Sequence, residues 1–157
     1  MKRGFLILSM VALLIVGLTA GAQAADPKQP IKIGAFFALS GPAAPIGTPT
    51  KLVAEMAVDQ INKAGGINGR PLELIIGDTE SDPAKAATIA KKFIHSDKVA
   101  AIIGPTSTGE GMQVKKIVEE AGIPIFMTVG GDPPIMAATG PFTYVFKSPQ
   151  RLSLIHI

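Results

Sequence analysis

The sequence has 157 residues, of which 47% are hydrophobic and 17% charged, which is typical of one globular domain. It contains no cysteine, which excludes disulfides, thiolate metal sites and cysteine nucleophiles. The net charge is only +3, tryptophan is absent and Tyr144 is the single tyrosine, so we predict no nucleic-acid partner.

The first 24 residues have the pattern of an export signal. Two basic residues, Lys2 and Arg3, precede a long apolar stretch, and Ala22-Gln23-Ala24 then fits the A-x-A cleavage rule. We therefore predict a signal peptide over residues 1–24, a mature chain beginning at Ala25, and a periplasmic location. A retained membrane anchor is the alternative, because the apolar stretch approaches the roughly 18 residues that can cross a bilayer.

The first strand and helix of the mature chain follow a short polar leader. The nearly continuous apolar run from Ile31 to Leu39 predicts a strand buried on both faces. After a loop rich in glycine and proline, Thr48 predicts the N-cap of a helix with Pro49 in its first position. Lys51 and Glu55 predict an exposed ion pair. Apolar residues recur along this helix at helical spacing: Leu52, Val53, Met56, Ala57 and Ile61.

Strand and helix patterns continue to alternate along the chain. Further strands are predicted at LELIIGD, VAAIIG, IPIFMTV and FTYVFKS. Asp82 with Pro83 starts the second helix, which runs to about Ile94; MQVKKIVEEA forms the third, closed by Gly122, and IMAAT a short helical turn. This order predicts an α/β fold with a doubly wound parallel sheet and helices on both faces.

In such a sheet, ligands bind outside the carboxyl ends of the strands. Three loops are therefore the candidate site: Ser40 to Gly47, Pro105 to Gly109, and Gly130 to Pro134. The second has the glycines of a phosphate loop without its lysine, and no G-x-G-x-x-G follows the first strand, so a nucleotide site is disfavoured. The acidic residues Asp78, Glu80 and Asp82 fit turn and capping roles, so we predict no metal and no cofactor.

A nucleophilic enzyme is also disfavoured. Ser107 lies on a strand-to-helix turn, but Pro105 stands where the motif G-x-S-x-G needs its first glycine. The two histidines, His95 at a helix end and His156 near the end of the sequence, are not positioned as a base for Ser107. We therefore predict that the chain is not an enzyme.

Hydroxyl groups are concentrated in the loop before the third helix. Thr106, Ser107 and Thr108 stand where the first backbone N–H groups of that helix are unpaired and its dipole favours an anion. This arrangement predicts binding of a carboxylate or another polar ligand. Ordinary N-capping by one of the three residues is the alternative.

Four segments closely resemble a known family: IKIGAFFALSGPAAPIG, AVDQINKAGGINGRPLELIIGDTESDPAKAATIAKKFI, VAAIIGPTSTG and AGIPIFMT. They are similar to the branched-chain amino acid binding proteins of bacterial ABC transporters, which are type I periplasmic binding proteins. The resemblance covers Ile31 to Arg151. It implies two α/β lobes that close on a ligand and deliver it to a membrane permease driven by an ATPase. On this reading residues 25–151 are the first lobe, and the second lobe is missing.

The resemblance also implies site residues. Thr108 falls where leucine- and valine-binding relatives use a serine hydroxyl for the ligand carboxylate, and Thr106 and Ser107 share its loop. Gly130-Gly131-Asp132 falls where those relatives have Ala-Ala-Thr, with backbone and hydroxyl contacts to the amino-acid head group. Ile46 takes a commonly aromatic position that backs the ligand.

Asp132 departs from the family pattern, because it replaces a threonine. It either caps the turn at Pro133 or faces the cleft, where it would disfavour a carboxylate or attract an ammonium group. The ligand can therefore differ from a branched-chain amino acid.

The final six residues, LSLIHI, do not continue the family pattern. They equal the translation of a transposon end used as a sequencing adapter, so we predict that residues 152–157 are a non-native tail. The whole sequence predicts the substrate-binding component of an ABC importer for an amino acid or a similar small polar or carboxylate solute. The alternative is a periplasmic sensory domain that reports ligand binding to a receptor or kinase.

Overall fold

The computed structural model describes residues 29–130 and 142–147. The predicted signal peptide, the short helical turn at 135–139 and the tail at 152–157 lie outside the described residues. The strands are β1 (Ile31–Phe37), β2 (Leu72–Asp78), β3 (Ala101–Ile103), β4 (Ile125–Met127) and β5 (Val145–Lys147). The helices are α1 (Ala44–Lys63), α2 (Pro83–Lys92), continued by a π-helical turn (Phe93–Asp97), and α3 (Thr108–Ala121).

All five strands form one parallel sheet in the order β2-β1-β3-β4-β5. The register places Ile31 opposite Leu72 and Ile33 opposite Ala101. The chain thus moves from β1 outward to β2 and then back past β1 to β3, which is the reversal of a doubly wound sheet. The predicted fold class is confirmed.

One face of the sheet packs against α2 and α3 and forms the core. Alternate side chains of the strands point to this face, because successive residues of a strand alternate between its two sides. The rings of Phe36 and Phe93 stack here with their centroids 6.0 Å apart. The buried residues of this core are Phe36, Ala86, Ala90, Phe93, Val99, Ile102, Val114, Val118, Ile125, Met127, Val129 and Val145.

The other face is covered only in part. Helix α1 packs on β1 and β2. Beside it, an open apolar groove of about 280 Å³ runs over the remaining strands, and Phe126 and Phe146 line it with half of their surface exposed, 50% and 52%. Among the described residues, α1 borders this groove with Ala54, Ala57, Val58 and Ile61 and leaves the side chains of Phe126 and Phe146 exposed.

Helix α1 begins earlier than predicted. It starts at Ala44 with Pro45 in its first turn, so Pro49 lies inside the helix and Thr48 is not its N-cap. Proline is tolerated near a helix start because those N–H groups have no helical acceptor, and Pro45 meets that condition. The prediction at Thr48 and Pro49 was wrong because it chose the second of two prolines.

The predicted residues of α1 divide between two environments. The Lys51–Glu55 ion pair is confirmed, with 2.9 Å between Nζ and Oε1, but both residues are half-buried rather than exposed. Leu52, Val53 and Met56, however, are exposed by 53%, 65% and 62%. The side facing the groove carries the other two predicted residues, Ala57 and Ile61, together with Ala54 and Val58.

The second and third helices have the predicted caps, but the third helix begins earlier than predicted. The Asp82 side chain accepts a hydrogen bond from the Ala84 N–H at 2.8 Å, as predicted. Helix α3 ends at Gly122 in a left-handed conformation but begins at Thr108, one turn before the predicted start. Among the helices that the structure describes, none is long and apolar enough to cross a membrane.

Candidate functional site

Parallel strands bring the loops that follow them to one edge of the sheet, here called the carboxyl edge. It consists of the loops after β1 to β4: residues 38–43, 79–82, 104–107 and 128–130. Five of the seven predicted site residues lie at or beside this edge: Ile46, Thr106, Ser107, Thr108 and Gly130. The other two, Gly131 and Asp132, lie outside the described residues.

Thr106 joins two of these loops. Its hydroxyl oxygen accepts a hydrogen bond from the Ala38 N–H at 3.0 Å, and the residue is only 8% exposed. In the next loop, the Thr128 hydroxyl donates to the Pro105 carbonyl at 2.9 Å. The Thr106 hydroxyl therefore holds the loop after β3 against the loop after β1, a role within the protein that the sequence did not reveal.

Ser107 is the N-cap of α3. Its hydroxyl accepts from the Glu110 N–H at 3.3 Å, and the Glu110 carboxylate accepts from the Ser107 N–H at 2.8 Å, which together form a capping box. This is the capping role that the sequence left as the alternative for one of the three hydroxyl residues. The motif S-x-x-E at Ser107 to Glu110 was the signal for it.

Thr108 is the first residue of α3, and its groups remain free. Among the described residues, neither its hydroxyl nor the backbone N–H groups of Thr108 and Gly109 have a hydrogen-bond acceptor. Thr108 is half-buried and Gly109 is exposed. Two unpaired N–H groups and one hydroxyl thus stand at the positive end of a helix 14 residues long, which is an arrangement that can hold a carboxylate.

The remaining described site residues flank this point. Ile46, in the first turn of α1, is 64% exposed and offers an apolar surface beside the loop after β1. Gly130 is half-buried and follows Val129, which is fully buried in the core. The arrangement therefore combines polar donors on α3 with an apolar side chain on α1.

Among the described residues of the carboxyl edge, Asp78 at the end of β2 is the charged residue with the most hydrogen bonds. Its Oδ1 accepts from the N–H groups of Leu39, Ser40 and Glu80, and its Oδ2 accepts from the Ser40 hydroxyl at 2.8 Å. Partial burial acts to raise the pKa of Asp78. The hydrogen bonds from Glu80, Ser40 and Leu39 outweigh it and hold that pKa below its ordinary value. The carboxylate is therefore ionised and accepts hydrogen bonds from the loops after β1 and β2.

The groups that the sequence analysis considered for catalysis or metal binding are engaged in other contacts or lie apart. The Ser107 hydroxyl is engaged with Glu110, and His95 lies beyond α2, which carries the chain away from the carboxyl edge. No group of three or more His, Asp or Glu side chains within the described ranges is placed to hold a metal ion. What the residues offer is hydrogen-bond donors and apolar contact.

Comparison with known families and sequences gives one consistent result. A family model described as "Periplasmic binding protein" matches residues 30–152. The leucine-, isoleucine-, valine-, threonine- and alanine-binding protein of Pseudomonas aeruginosa is 33% identical over 150 residues, covering 94% of this chain and 39% of the relative. Leu/Ile/Val-binding protein homolog 7 of Brucella abortus is 35% identical over 117 residues, covering 74% of this chain and 29% of the relative.

Solved structures agree with this comparison. A branched-chain amino acid transporter substrate-binding protein from Streptococcus pneumoniae, crystallised with isoleucine, superposes with a TM-score of 0.73 at 31% identity; the match covers 78% of this chain and 34% of that one. An ABC transporter substrate-binding protein from Sphaerobacter thermophilus gives 0.69 at 32% identity, covering 76% and 32%. The chain thus spans between about a third and two fifths of the length of these relatives.

Proposed function

The chain belongs to the periplasmic binding protein family, and we propose that it is the first lobe of the substrate-binding component of a bacterial ABC importer. The full-length protein captures an amino acid or a similar small polar or carboxylate solute and delivers it to a permease driven by an ATPase. The observation that carries this proposal is the set of free donors at the start of α3: the Thr108 hydroxyl and the N–H groups of Thr108 and Gly109.

The free donors favour a carboxylate for an electrostatic reason. The first N–H groups of a helix point out of its end and carry its partial positive charge, so an anion there gains charge-assisted hydrogen bonds of about 1.5–3 kcal/mol each. Ile46 provides apolar surface for the rest of the solute. This pairing suits an amino acid with an apolar side chain, and four of the five amino acids in the name of the Pseudomonas aeruginosa relative are of that kind: leucine, isoleucine, valine and alanine.

The proposal includes a second lobe and an exported mature chain. Residues 1–24 are the signal peptide, residues 25–151 the first lobe, and residues 152–157 a non-native tail beyond which the native gene continues. Two observations support this: the chain spans about a third of its relatives, and the apolar groove beside α1 leaves Phe126 and Phe146 exposed to water. Resequencing the locus from intact genomic DNA tests it, because a stop codon directly after the codon for Ile157 contradicts the proposed continuation.

The proposed activity is reversible binding without turnover. The relatives and solved structures are described as binding proteins, and the Ser107 hydroxyl is already used as a helix cap. A thermal-shift screen of the full-length protein against amino acids, amino-acid amides and aromatic acids tests the proposal, because a ligand that binds the native state raises the melting temperature. If no compound with a free carboxylate raises it, the proposal fails.

A further inference from the structure

The loop after β1, residues 38–43, is fastened to the loop after β2 by the side chain of Asp78. The carboxylate accepts from two consecutive N–H groups of the first loop, Leu39 at 2.9 Å and Ser40 at 3.3 Å, and from the Ser40 hydroxyl at 2.8 Å. It also accepts from the Glu80 N–H in its own loop at 2.9 Å. One ionised group therefore joins residues that are 39 positions apart in the chain.

Ser81 makes a second connection at the other end of the same loop. Its hydroxyl oxygen accepts from the Ala43 N–H at 3.0 Å and donates to the Ser40 carbonyl at 3.0 Å. Ala43 is the N-cap residue of α1 and has no side-chain capping bond of its own. The position of the first turn of α1, which carries Ile46, is therefore tied to Ser81.

Gly41, between the two connections, shows how closely the loops approach. Its φ is +77°, and a Cβ there would lie 2.6 Å from the Glu80 carbonyl oxygen and 2.8 Å from Ser81 Oγ. A distance below about 3.0 Å is not compatible with a side chain at Gly41. The two loops are therefore closely packed at Gly41.

We propose that Asp78 and Ser81 are positioning residues, which hold the first loop and the Ile46 turn in their ligand-ready geometry before any ligand arrives. The inference rests on the proposed function, since Ile46 is taken as part of the ligand surface. Fixing a loop costs conformational entropy, and a loop ordered in advance spares that cost at the moment of binding. Neither residue contacts the ligand in this account; both act through the loop.

Hydrogen–deuterium exchange on the ligand-free, full-length protein tests the connection directly. The variants are Asp78→Ala, Asp78→Asn and Ser81→Ala; Asp59→Asn is the matched control, because Asp59 lies on α1 and pairs with the exposed Lys63. We expect Asp78→Ala and Ser81→Ala each to speed exchange about tenfold in peptides covering residues 38–47, as local opening follows the loss of such bonds. Asp78→Asn keeps one acceptor oxygen, so its exchange rate in these peptides should lie between the rates of Asp78→Ala and the wild type.

Peptides from α2 and α3 decide whether the effect is local. Exchange in these peptides should stay at the wild-type rate if Asp78 and Ser81 act only on the first loop. Unchanged exchange at 38–47 in both alanine variants overturns the proposal, and so does an equal rise in all peptides, which would report general destabilisation.

Binding of L-isoleucine, measured by stopped-flow fluorescence or calorimetry, tests the positioning role. We expect both alanine variants to bind about tenfold more weakly and Asp59→Asn to bind as the wild type does. Faster exchange at 38–47 with an unchanged dissociation constant overturns the positioning role and leaves a purely structural contact. If the wild type binds none of the free-carboxylate compounds in the thermal-shift screen, the proposed function fails and the positioning role fails with it, whereas the exchange result still decides the connection between the loops.

Discussion

Replacing Thr108 by alanine separates ligand binding from helix capping at the start of α3. The Thr108 hydroxyl has no hydrogen-bond partner among the described residues, so its removal breaks no bond within the described lobe. The stability of the protein should therefore stay nearly constant. A hydrogen bond to a charged carboxylate is worth about 1.5–3 kcal/mol, which predicts a dissociation constant raised by about tenfold to a hundredfold.

Isothermal titration calorimetry on the full-length protein measures this change with the compound that gives the largest thermal shift. Thr88→Ala is the matched control, because Thr88 is an exposed threonine of α2 whose hydroxyl bonds only to the Ala84 carbonyl of its own helix. The control should bind as tightly as the wild type. An unchanged dissociation constant for Thr108→Ala, with an unchanged fold, would refute the assignment of Thr108 to the ligand carboxylate.

Three further outcomes are expected. Ser107→Ala should lower the free energy of unfolding by about 1 kcal/mol in urea titrations, since it removes the cap that bonds Glu110; unchanged stability contradicts the capping role. Folding lowers the pKa of Asp78. The ionised Asp78 carboxylate therefore stabilises the folded protein fully above its unfolded pKa of about 3.9, and this stabilisation is lost as the pH falls through its pKa in the folded protein. The stability difference between wild type and Asp78→Asn should accordingly narrow as the pH falls below about 4, and a difference that stays constant in this range contradicts the assignment. Mass spectrometry of periplasmic extract should find a mature N-terminus at Ala25, and an intact leader in the membrane fraction contradicts it.

The alternation of strands and helices was predictable because each element produces a characteristic local spacing of apolar residues in the sequence. The run beginning at Ile31 became β1, and Asp82 capped α2 as its pairing with Pro83 indicated. The start of α1 was missed because Pro45 and Pro49 both satisfy the local rule. Tertiary packing separates them: a Cβ on Gly47 would lie 2.0 Å from the Ala38 carbonyl, so this turn of α1 sits directly on the end of β1.

The candidate site was predictable only in its location. Doubly wound topology places the loop with Thr106, Ser107 and Thr108 at the carboxyl edge, but it does not say which hydroxyl is free. The capping box of Ser107 was visible as S-x-x-E within four residues. The bond from Ala38 to Thr106 joins residues 68 positions apart, and no local pattern in the sequence reports such a pair.

The proposed function requires that a ligand carboxylate binds at the N-terminus of α3. A crystal structure of the full-length protein with the tightest-binding compound tests it most directly. We expect a carboxylate oxygen at a hydrogen-bond distance of about 2.7–3.2 Å from the Thr108 hydroxyl and from the N–H of Thr108 or Gly109. A ligand bound between the lobes with its carboxylate elsewhere, and these donors facing only water, would contradict it.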